Sequence, residues 1–265
     1  MEYKEIIKDA YYYDKTGMLL MGDCMDWMQK FPDKSIDMIL CDLPYGTTAC
    51  KWDAVIPLEE LWLQYERIIK DNGAIVLTAS QPFTSVLVMS NPKMFKYEWI
   101  YQKSAGSNFA TLKYQPMKEH ESVLVFSKQS HNYYPMKEER KGAGLERTKY
   151  KYNPSNTEKR ETMGGFKMTH ADHNGNNELR YPGSVQKFNN RATGDRGLHP
   201  TQKPVALFEY LIKTYTNENE IVLDNCAGSC TTAVASKNLK RRWICIEQEQ
   251  KYCDISVNRI KNMIK

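Results

Sequence analysis

The sequence has no apolar run long enough to span a bilayer, and its first residues are too polar for a secretory signal. It also lacks the paired Cys and His spacings of zinc sites, so we expect no bound metal. Its seven cysteines are an odd number scattered along the chain, which is typical of free thiols in a reducing compartment. We therefore expect a cytoplasmic protein whose fold depends on neither disulfides nor metal ions.

A large net charge is missing too, since the 265 residues carry a formal charge of only +5. The positive charge is nevertheless concentrated, because residues 128–200 contain 14 Lys and Arg against 8 Asp and Glu. The rest of the chain has 23 Lys and Arg against 24 Asp and Glu, a net charge of −1. A solvated basic surface is the commoner explanation of such a segment, but it is also where a phosphate backbone would bind.

Short apolar runs alternate with amphipathic segments, which predicts an α/β fold with a doubly wound, Rossmann-like and mostly parallel sheet. The predicted strands are 18–22, 36–41, 74–78, 97–101, 121–126, 221–223 and 243–246. The predicted helices are 58–70, 83–89, one that begins at Lys203 and Pro204, and one that begins near Thr231. Asn72 and Gly73 are interpreted as the end of the first of these helices.

Between residues 128 and 197 the periodicity fades, while Gly, Asn, Tyr and Arg accumulate. This stretch is too long for an ordinary loop in a compact domain, so we interpret it as an inserted recognition domain, whose Arg, Lys and Asn can bind phosphates and base edges. Residues 1–127 and 198–265 would then form one domain. A flexible insertion without a binding role is the simpler alternative.

The most informative stretch is the predicted strand 36–41 with the turn Asp42-Leu43-Pro44-Tyr45 that follows it. Pro44 fixes its own φ and biases Leu43 away from the helical region, so a carboxylate, a carbonyl and a phenol ring meet just past the strand. Open α/β sheets bind ligands at this place. A planar heteroaromatic ring with an exocyclic amine would fit there, although an ordinary turn with Tyr45 as packing is the alternative.

The segment from Ile221 to Glu247 predicts a second ligand site, since it reads as strand, glycine turn, helix, strand and acid. The turn at Gly228 allows a ligand to approach the backbone, and Glu247, about 20 residues further on, can bind ribose hydroxyls. One glycine stands where dinucleotide sites have three, so a hydride-transfer cofactor is not favoured. Asp23, at the end of an earlier strand, either caps the next helix or holds an amine of the ligand.

Together these motifs resemble those of the β group of amino DNA methyltransferases. Asp42-Leu43-Pro44-Tyr45 resembles the family's Asp-Pro-Pro-Tyr, and the turn from Asp224 to Thr232 is similar to its S-adenosylmethionine loop. The run from His199 to Pro204, His-Pro-Thr-Gln-Lys-Pro, matches the element that precedes that loop. The order of catalytic motif, insertion and cofactor loop is that of the β group. The resemblance thus implies a catalytic domain formed by 1–127 and 198–265, with 128–197 as an inserted target-recognition domain. The resemblance covers the chain from Met18 onward, except for the interior of the insertion.

The resemblance implies methyl transfer from S-adenosylmethionine to the N6 amine of an adenine that is flipped out of DNA. Glu247 would hold the ribose, and Asp23 would contact the cofactor's adenine or lie beside it. His199 and Thr201, with Gln202 and Lys203 nearby, would hold the amino-acid end of the cofactor. The catalytic residues would be Asp42, Leu43, Pro44 and Tyr45. The cofactor-binding residues would be Asp23, His199, Thr201, Gln202, Lys203, Asn225, Ala227, Gly228, Ser229 and Glu247.

Two positions depart from the family pattern. Leu43 replaces the first proline of the tetrad, a mild change because only the carbonyl of this residue is used. Cys230 replaces the second glycine of Gly-Ser-Gly, and its side chain is expected to crowd the cofactor.

The resemblance also implies DNA as a partner, and it leaves room for a homodimer and for a cognate restriction endonuclease. Asp42 at the first position of the motif favours adenine-N6 chemistry. The alternatives are a cytosine-N4 methyltransferase and a DNA-binding module whose cofactor site has decayed.

Overall fold

The computed structural model describes residues 3–46, 53–146, 178–191 and 202–263. The chain forms two compact units, of which the larger comprises Met1–Tyr134 with Ser184–Lys265 and the smaller comprises Pro135–Gly183. The insertion predicted at 128–197 therefore overlaps the smaller unit and extends beyond it at both ends. Most of its interior, residues 147–177, lies outside the described residues.

The strands define one large sheet and one two-stranded ribbon. In chain order the strands are β1 (Tyr12–Tyr13), β2 (Gly17–Met21), β3 (Ile36–Asp42), β4 (Ile69–Ala79), β5 (Phe95–Ser107), β6 (Lys118–Phe126), β7 (Glu138–Glu139), β8 (Leu179–Arg180), β9 (Val185–Phe188), β10 (Ile221–Asp224) and β11 (Arg242–Glu247). The sheet of the larger unit has the order β1-β2-β11-β10-β3-β4-β6-β5-β9, and β7 pairs with β8 in the smaller unit. In the large sheet the five neighbouring strands β2, β11, β10, β3 and β4 are parallel to one another. Strand β6 is antiparallel to both β4 and β5.

Helices cover both faces of this sheet, which confirms the predicted doubly wound fold. The helices are α1 (Lys4–Lys8), α2 (Cys24–Met28), α3 (Leu58–Ile68), α4 (Phe83–Ser90), α5 (Ala143–Glu146), α6 (Val205–Tyr215), α7 (Thr231–Asn238) and α8 (Gln250–Asn262), with a 3₁₀ turn at Phe109–Thr111. Ile39 and Cys41 of β3 pack in one core cluster with α3 and α4, while the alternate residues Met38 and Leu40 pack in another with α6. Within the described residues, no helix is both long and apolar enough to cross a membrane.

The boundary between α3 and β4 differs from the prediction. The helix ends at Ile68, and the chain extends at once into β4, where Ile69 is buried and pairs with Ile36. Gly73 therefore lies inside a strand instead of ending a helix. A Cβ at this position would come within 2.8 Å of the carbonyl oxygen of Asp37, so the glycine permits close approach of two strands. Strand pairing has overridden the local helix signal.

Candidate active site

The carboxyl ends of four neighbouring parallel strands bring four acidic residues to one edge of the sheet, and all of them except Asp224 are predicted site residues. Asp42 ends β3, Asp224 ends β10 and Glu247 ends β11, while Asp23 follows β2 after a single glycine turn. The neighbouring order β2-β11-β10-β3 places the predicted catalytic motif and the predicted cofactor loop side by side. This is the edge at which ligands bind open α/β sheets.

The carboxylate of Asp42 is held through both of its oxygens. Oδ1 accepts hydrogen bonds from the hydroxyl of Tyr45, at 2.7 Å, and from the hydroxyl of Thr78. Oδ2 accepts from Nζ of Lys203 at 2.6 Å. Thr78 lies directly opposite Asp42 in the pairing of β4 with β3, which explains how it reaches this oxygen. The side chain of Asp42 keeps 21% of its exposure, so a substrate can still approach it.

The turn after Asp42 is fixed by a second carboxylate. Oδ1 of Asp53 accepts hydrogen bonds from the backbone N–H groups of Tyr45, at 2.8 Å, and Gly46, at 3.0 Å. The ring of Tyr45 stacks on that of Phe83, with centroids 5.3 Å apart and an interplanar angle of 24°. Burial, followed by the charge of Asp42, raises the pKa of Tyr45 well above its usual value, so its hydroxyl stays protonated and acts as a donor.

Lys203 contacts the predicted catalytic residue Asp42. Its ammonium is 2.6 Å from Asp42 and 3.2 Å from Glu121, and the Lys103 ammonium lies 2.6 Å from the other oxygen of Glu121. Burial alone would lower the pKa of Lys203, but the carboxylates of Asp42 and Glu121 help to raise it well above its usual value. The residue is therefore a buried cation at Asp42, whereas the family resemblance assigned it to the amino-acid end of the cofactor.

The predicted cofactor loop is anchored by Glu247, which is 8% exposed. Its Oε2 accepts a hydrogen bond from the backbone N–H of Gly228 at 2.8 Å, and its Oε1 accepts from that of Glu249 at 2.9 Å. Gly228 has φ +51°, a conformation that glycine adopts without strain. Burial raises the pKa of Glu247. A buried carboxylate beside a glycine turn is thus present where the sequence predicted a ribose site.

Helix α8, which the sequence analysis did not predict, supports this loop from behind. The hydroxyl of Ser256 donates to the carbonyl of Gly228 at 3.0 Å, and Nη1 of Arg259 donates to the carbonyl of Ser229 at 2.9 Å. The hydroxyl of Ser229 in turn donates to Oε1 of Gln202 at 3.0 Å. The signal for α8 was its helical spacing of buried residues, which include Cys253, Ser256 and Ile260.

The remaining predicted cofactor residues within the described part of the chain have structural partners. Asp23 caps α2, because its Oδ1 accepts from the backbone N–H of Met25 at 2.7 Å, as the simpler interpretation of this residue expected. Asn225 is buried, and its Oδ1 accepts from the hydroxyl of Tyr65 at 2.5 Å. Ala227 donates its N–H to the carbonyl of Ile246 at 2.9 Å. His199 and Thr201 lie outside the described residues.

Cys230 has a left-handed backbone, with φ 54° and ψ 46°, in the position that precedes α7. The residue is fully buried in an apolar cluster whose other members include Leu19, Trp243 and Cys245. The expected crowding of the cofactor by this side chain is not supported by such packing. The departure from glycine instead strains the backbone, at a cost of about 1–3 kcal/mol.

We expect the buried carboxyl group of Asp224 to make the free energy of unfolding of the protein depend on pH. Burial raises its pKa from 3.8 to about 7, so between these values the folded chain holds a proton that the unfolded chain has lost. Its contribution to the free energy of unfolding is therefore fully present below the unfolded pKa and is lost as the pH rises through about 7. From pH 5 to pH 8 the loss should be about 2–3 kcal/mol.

Asp224→Asn should remove that part of the pH dependence, because the amide oxygen can still accept from Thr232 without carrying a charge. Urea unfolding of both proteins at pH 5 and pH 8 measures the difference, and subtraction cancels all other titrating groups. An identical pH dependence in the two proteins would mean that Asp224 titrates normally.

Comparisons with known proteins agree with this geometry. The sequence profile of a DNA methylase family matches residues 36–258. DNA adenine methyltransferase YhdJ of Escherichia coli (strain K12) is 26% identical, over 93% of this chain and 83% of its own length. The solved M1.HpyAVI–SAM complex has a TM-score of 0.61 and 24% identity, covering 92% of this chain and 99% of its own. The PvuII cytosine-N4-specific DNA methyltransferase also has a TM-score of 0.61, with 16% identity over 96% of this chain and 95% of its own.

The two structural likenesses are evidence for the fold, and they agree with the predicted Rossmann-like sheet. The family match extends over most of the chain and includes the predicted catalytic motif, the predicted cofactor loop and the first two thirds of α8. It confirms the predicted cofactor, S-adenosylmethionine, and the resemblance from which that prediction came. The chain belongs to the DNA methylase family and is a methyltransferase.

Proposed function

We propose that this methyltransferase acts on the exocyclic amine of a base flipped out of DNA, and that the base is adenine. The observation that carries the proposal is the environment of Asp42. Its carboxylate lies at the carboxyl edge of the sheet, is fixed at both oxygens and has the ring of Tyr45 beside it. The adjoining edge carries the loop and the buried Glu247 that fit a nucleoside-containing cofactor.

Asp42 would act on the amine directly. A carboxylate offers about four acceptor positions, and among the described residues three donors occupy three of them, so one position remains there for an N–H of the base. The carbonyl of Leu43 would accept the second N–H. An adenine amine is a weak nucleophile because its lone pair is delocalised into the ring. Accepting both N–H groups favours a pyramidal nitrogen and stabilises the developing positive charge, by roughly 1.5–3 kcal/mol for a charge-assisted bond.

Tyr45 would orient the base. Its ring already stacks on Phe83, so one aromatic platform is present before any base binds. Stacking of a base on an aromatic side chain contributes about 1–3 kcal/mol. Enzymes that act on a base inside a duplex must extrude it first, and this stacking offsets part of that cost.

Glu247 and the loop Ala227-Gly228-Ser229 would hold the cofactor. The buried Glu247 carboxylate can accept from both ribose hydroxyls, and the glycine turn allows the methionine part to approach the backbone. Bound S-adenosylmethionine would supply an electrophilic methyl group. The chain's contribution is then alignment of the base nitrogen with that methyl group, an effect that can supply several kcal/mol of the barrier reduction.

The choice of adenine is supported by Asp42 at the first motif position and by YhdJ, whose name describes an adenine methyltransferase. Cytosine-N4 is the second candidate, and the fold shared with the PvuII enzyme favours it. Expression in a host without DNA methylation, followed by mass analysis of hydrolysed DNA and long-read sequencing, decides between them. N6-methyladenine in one sequence context is the expected result, and N4-methylcytosine would contradict it. A host expressing Asp42→Ala is the matched control.

We also propose that the basic region 128–197 carries DNA recognition. Its positive excess implies several phosphate contacts, so DNA affinity should fall on the order of 10³-fold between 50 and 200 mM salt. Neutralising two of its exposed cations, in Lys187→Gln/Arg191→Gln, should weaken binding and reduce the salt slope by about 2. The matched control is Lys4→Gln/Lys93→Gln, which neutralises two exposed cations elsewhere. Equal losses in both pairs, measured by fluorescence anisotropy, would mean that the region has no special role.

A further inference from the structure

Four buried or half-buried charges of alternating sign lie in a row that starts at the proposed catalytic carboxylate. The row runs from Asp42 to Lys203 at 2.6 Å, from Lys203 to Glu121 at 3.2 Å, and from Glu121 to Lys103 at 2.6 Å. The exposures of the four side chains are 21%, 8%, 13% and 11% in that order. Glu121 and Lys103 belong to the antiparallel strands β6 and β5, and no motif in the sequence points to either.

We propose that Glu121 is a positioning residue for methyl transfer, which holds the ammonium of Lys203 against Asp42 and thereby fixes the orientation of that carboxylate. The inference rests on the proposed role of Asp42. Glu121 and its other partner, Lys103, make no contact with substrate or cofactor in the proposed mechanism.

Lys203 needs a second anchor because of its side chain. A lysine side chain loses rotamer entropy when it is held in one geometry, so a single contact holds it poorly. A single ion pair with Asp42 would let the ammonium move around that carboxylate. Glu121 approaches the same ammonium from a different strand, so Nζ is held between two carboxylates. The arrangement is also electrically balanced, since the row contains two ammonium groups and two carboxylates.

The orientation of Asp42 depends on the position of that ammonium. Tyr45 and Thr78 both donate to Oδ1, whereas among the described residues Oδ2 has one hydrogen-bond donor, Lys203. If Lys203 moves, the carboxylate can rotate about its one fixed oxygen. Displacement of a catalytic group by about 1 Å is enough to reduce the rate on the order of 10²-fold.

Glu121 also separates two cations. Without its charge, the ammonium groups of Lys103 and Lys203 would face a neutral side chain, and their mutual repulsion would be uncompensated in a poorly hydrated place. Lys203 would then leave its position between the strands. Removing the charge of Lys103 at the same time should relieve the repulsion. This compensation distinguishes electrostatic positioning from a packing role.

The test compares Glu121→Gln, Lys103→Met and the double variant Glu121→Gln/Lys103→Met with the wild-type chain. We expect kcat for methyl transfer to fall 10–100-fold in Glu121→Gln, about threefold or less in Lys103→Met, and less in the double variant than in Glu121→Gln alone. KM for DNA and Kd for S-adenosylmethionine should stay within about threefold of wild type. Glu121→Asp, which keeps the charge, should recover part of the lost rate.

Each outcome bears on the proposal. Unchanged kcat in Glu121→Gln would overturn it, and so would a double variant whose loss is the product of the two single losses, since a packing role predicts that. A parallel fall in cofactor binding and thermal stability would assign Glu121 to the fold instead. A wild-type chain that binds S-adenosylmethionine and DNA but transfers no methyl group would overturn the proposed function, and the inference with it.

Discussion

Replacing Asp42 with alanine should abolish methyl transfer while S-adenosylmethionine binding stays within about threefold of wild type. The variant loses the acceptor for the amine N–H and the group that stabilises its positive charge. One charge-assisted bond at roughly 1.5–3 kcal/mol and lost alignment worth about 10²-fold together predict a fall in kcat of at least about 10³-fold. Tritium transfer from the labelled cofactor measures turnover, and calorimetry measures binding.

The controls for this prediction separate chemistry from folding. Asp42→Ala leaves the ammonium of Lys203 with one carboxylate partner fewer, so the variant can also lose stability. Asp42→Asn keeps the shape of the side chain and an acceptor for Lys203, and it should lose nearly as much activity. Asp71→Ala removes a half-exposed carboxylate that pairs with Lys34 and should leave kcat unchanged. Turnover at a tenth of the wild-type rate or more in Asp42→Asn would contradict the proposed role.

Replacing Glu247 with alanine should weaken S-adenosylmethionine binding by about 100-fold or more. Two ribose hydroxyls on a buried carboxylate are worth roughly 1.5–3 kcal/mol each, and about 1.4 kcal/mol corresponds to a factor of ten. The backbone N–H of Gly228 also loses its acceptor, so the loop is less well held. Glu247→Gln keeps an acceptor for the loop but loses the charge. Its affinity for S-adenosylmethionine should therefore lie between those of Glu247→Ala and the wild type. Glu249→Ala, at an exposed neighbour, is the matched control.

The carboxylate of Glu247 should also make the affinity for S-adenosylmethionine depend on pH. Burial raises the pKa of Glu247, and only the ionised form can accept from both hydroxyls, so affinity should decline on acidification at a higher pH than for an ordinary Glu. Glu247→Gln should lose this decline. Calorimetric titration of both proteins between pH 5 and pH 8 tests it. Cofactor affinity that is unchanged in Glu247→Ala would remove this residue from the site.

The fold and the proposed site differ in how much of each could be predicted. Asp42 and Glu247 follow apolar runs directly, so the rule that ligands bind at the carboxyl ends of parallel strands was sufficient to place them on one edge. Glu121 gave no such signal. Glu121 lies close to Lys203 because β6 pairs with β4 in antiparallel orientation. This pairing depends on contacts between segments that are distant in the sequence. The boundary at Ile69 was missed for the same reason, since strand pairing outweighed the local preference of the chain.

The order of strands in the sheet also has a consequence for synthesis on the ribosome. β2 and β3 are consecutive in the chain, yet β10 and β11 lie between them in the sheet. A nascent chain that has reached residue 220 therefore carries two strands whose inner edges have no partner, and such edges are prone to pair with other chains. The centre of the sheet can form only after β10 and β11 have left the ribosome. Chaperone association should accordingly persist until translation has passed β11, and long-range closure of this kind makes for slow folding.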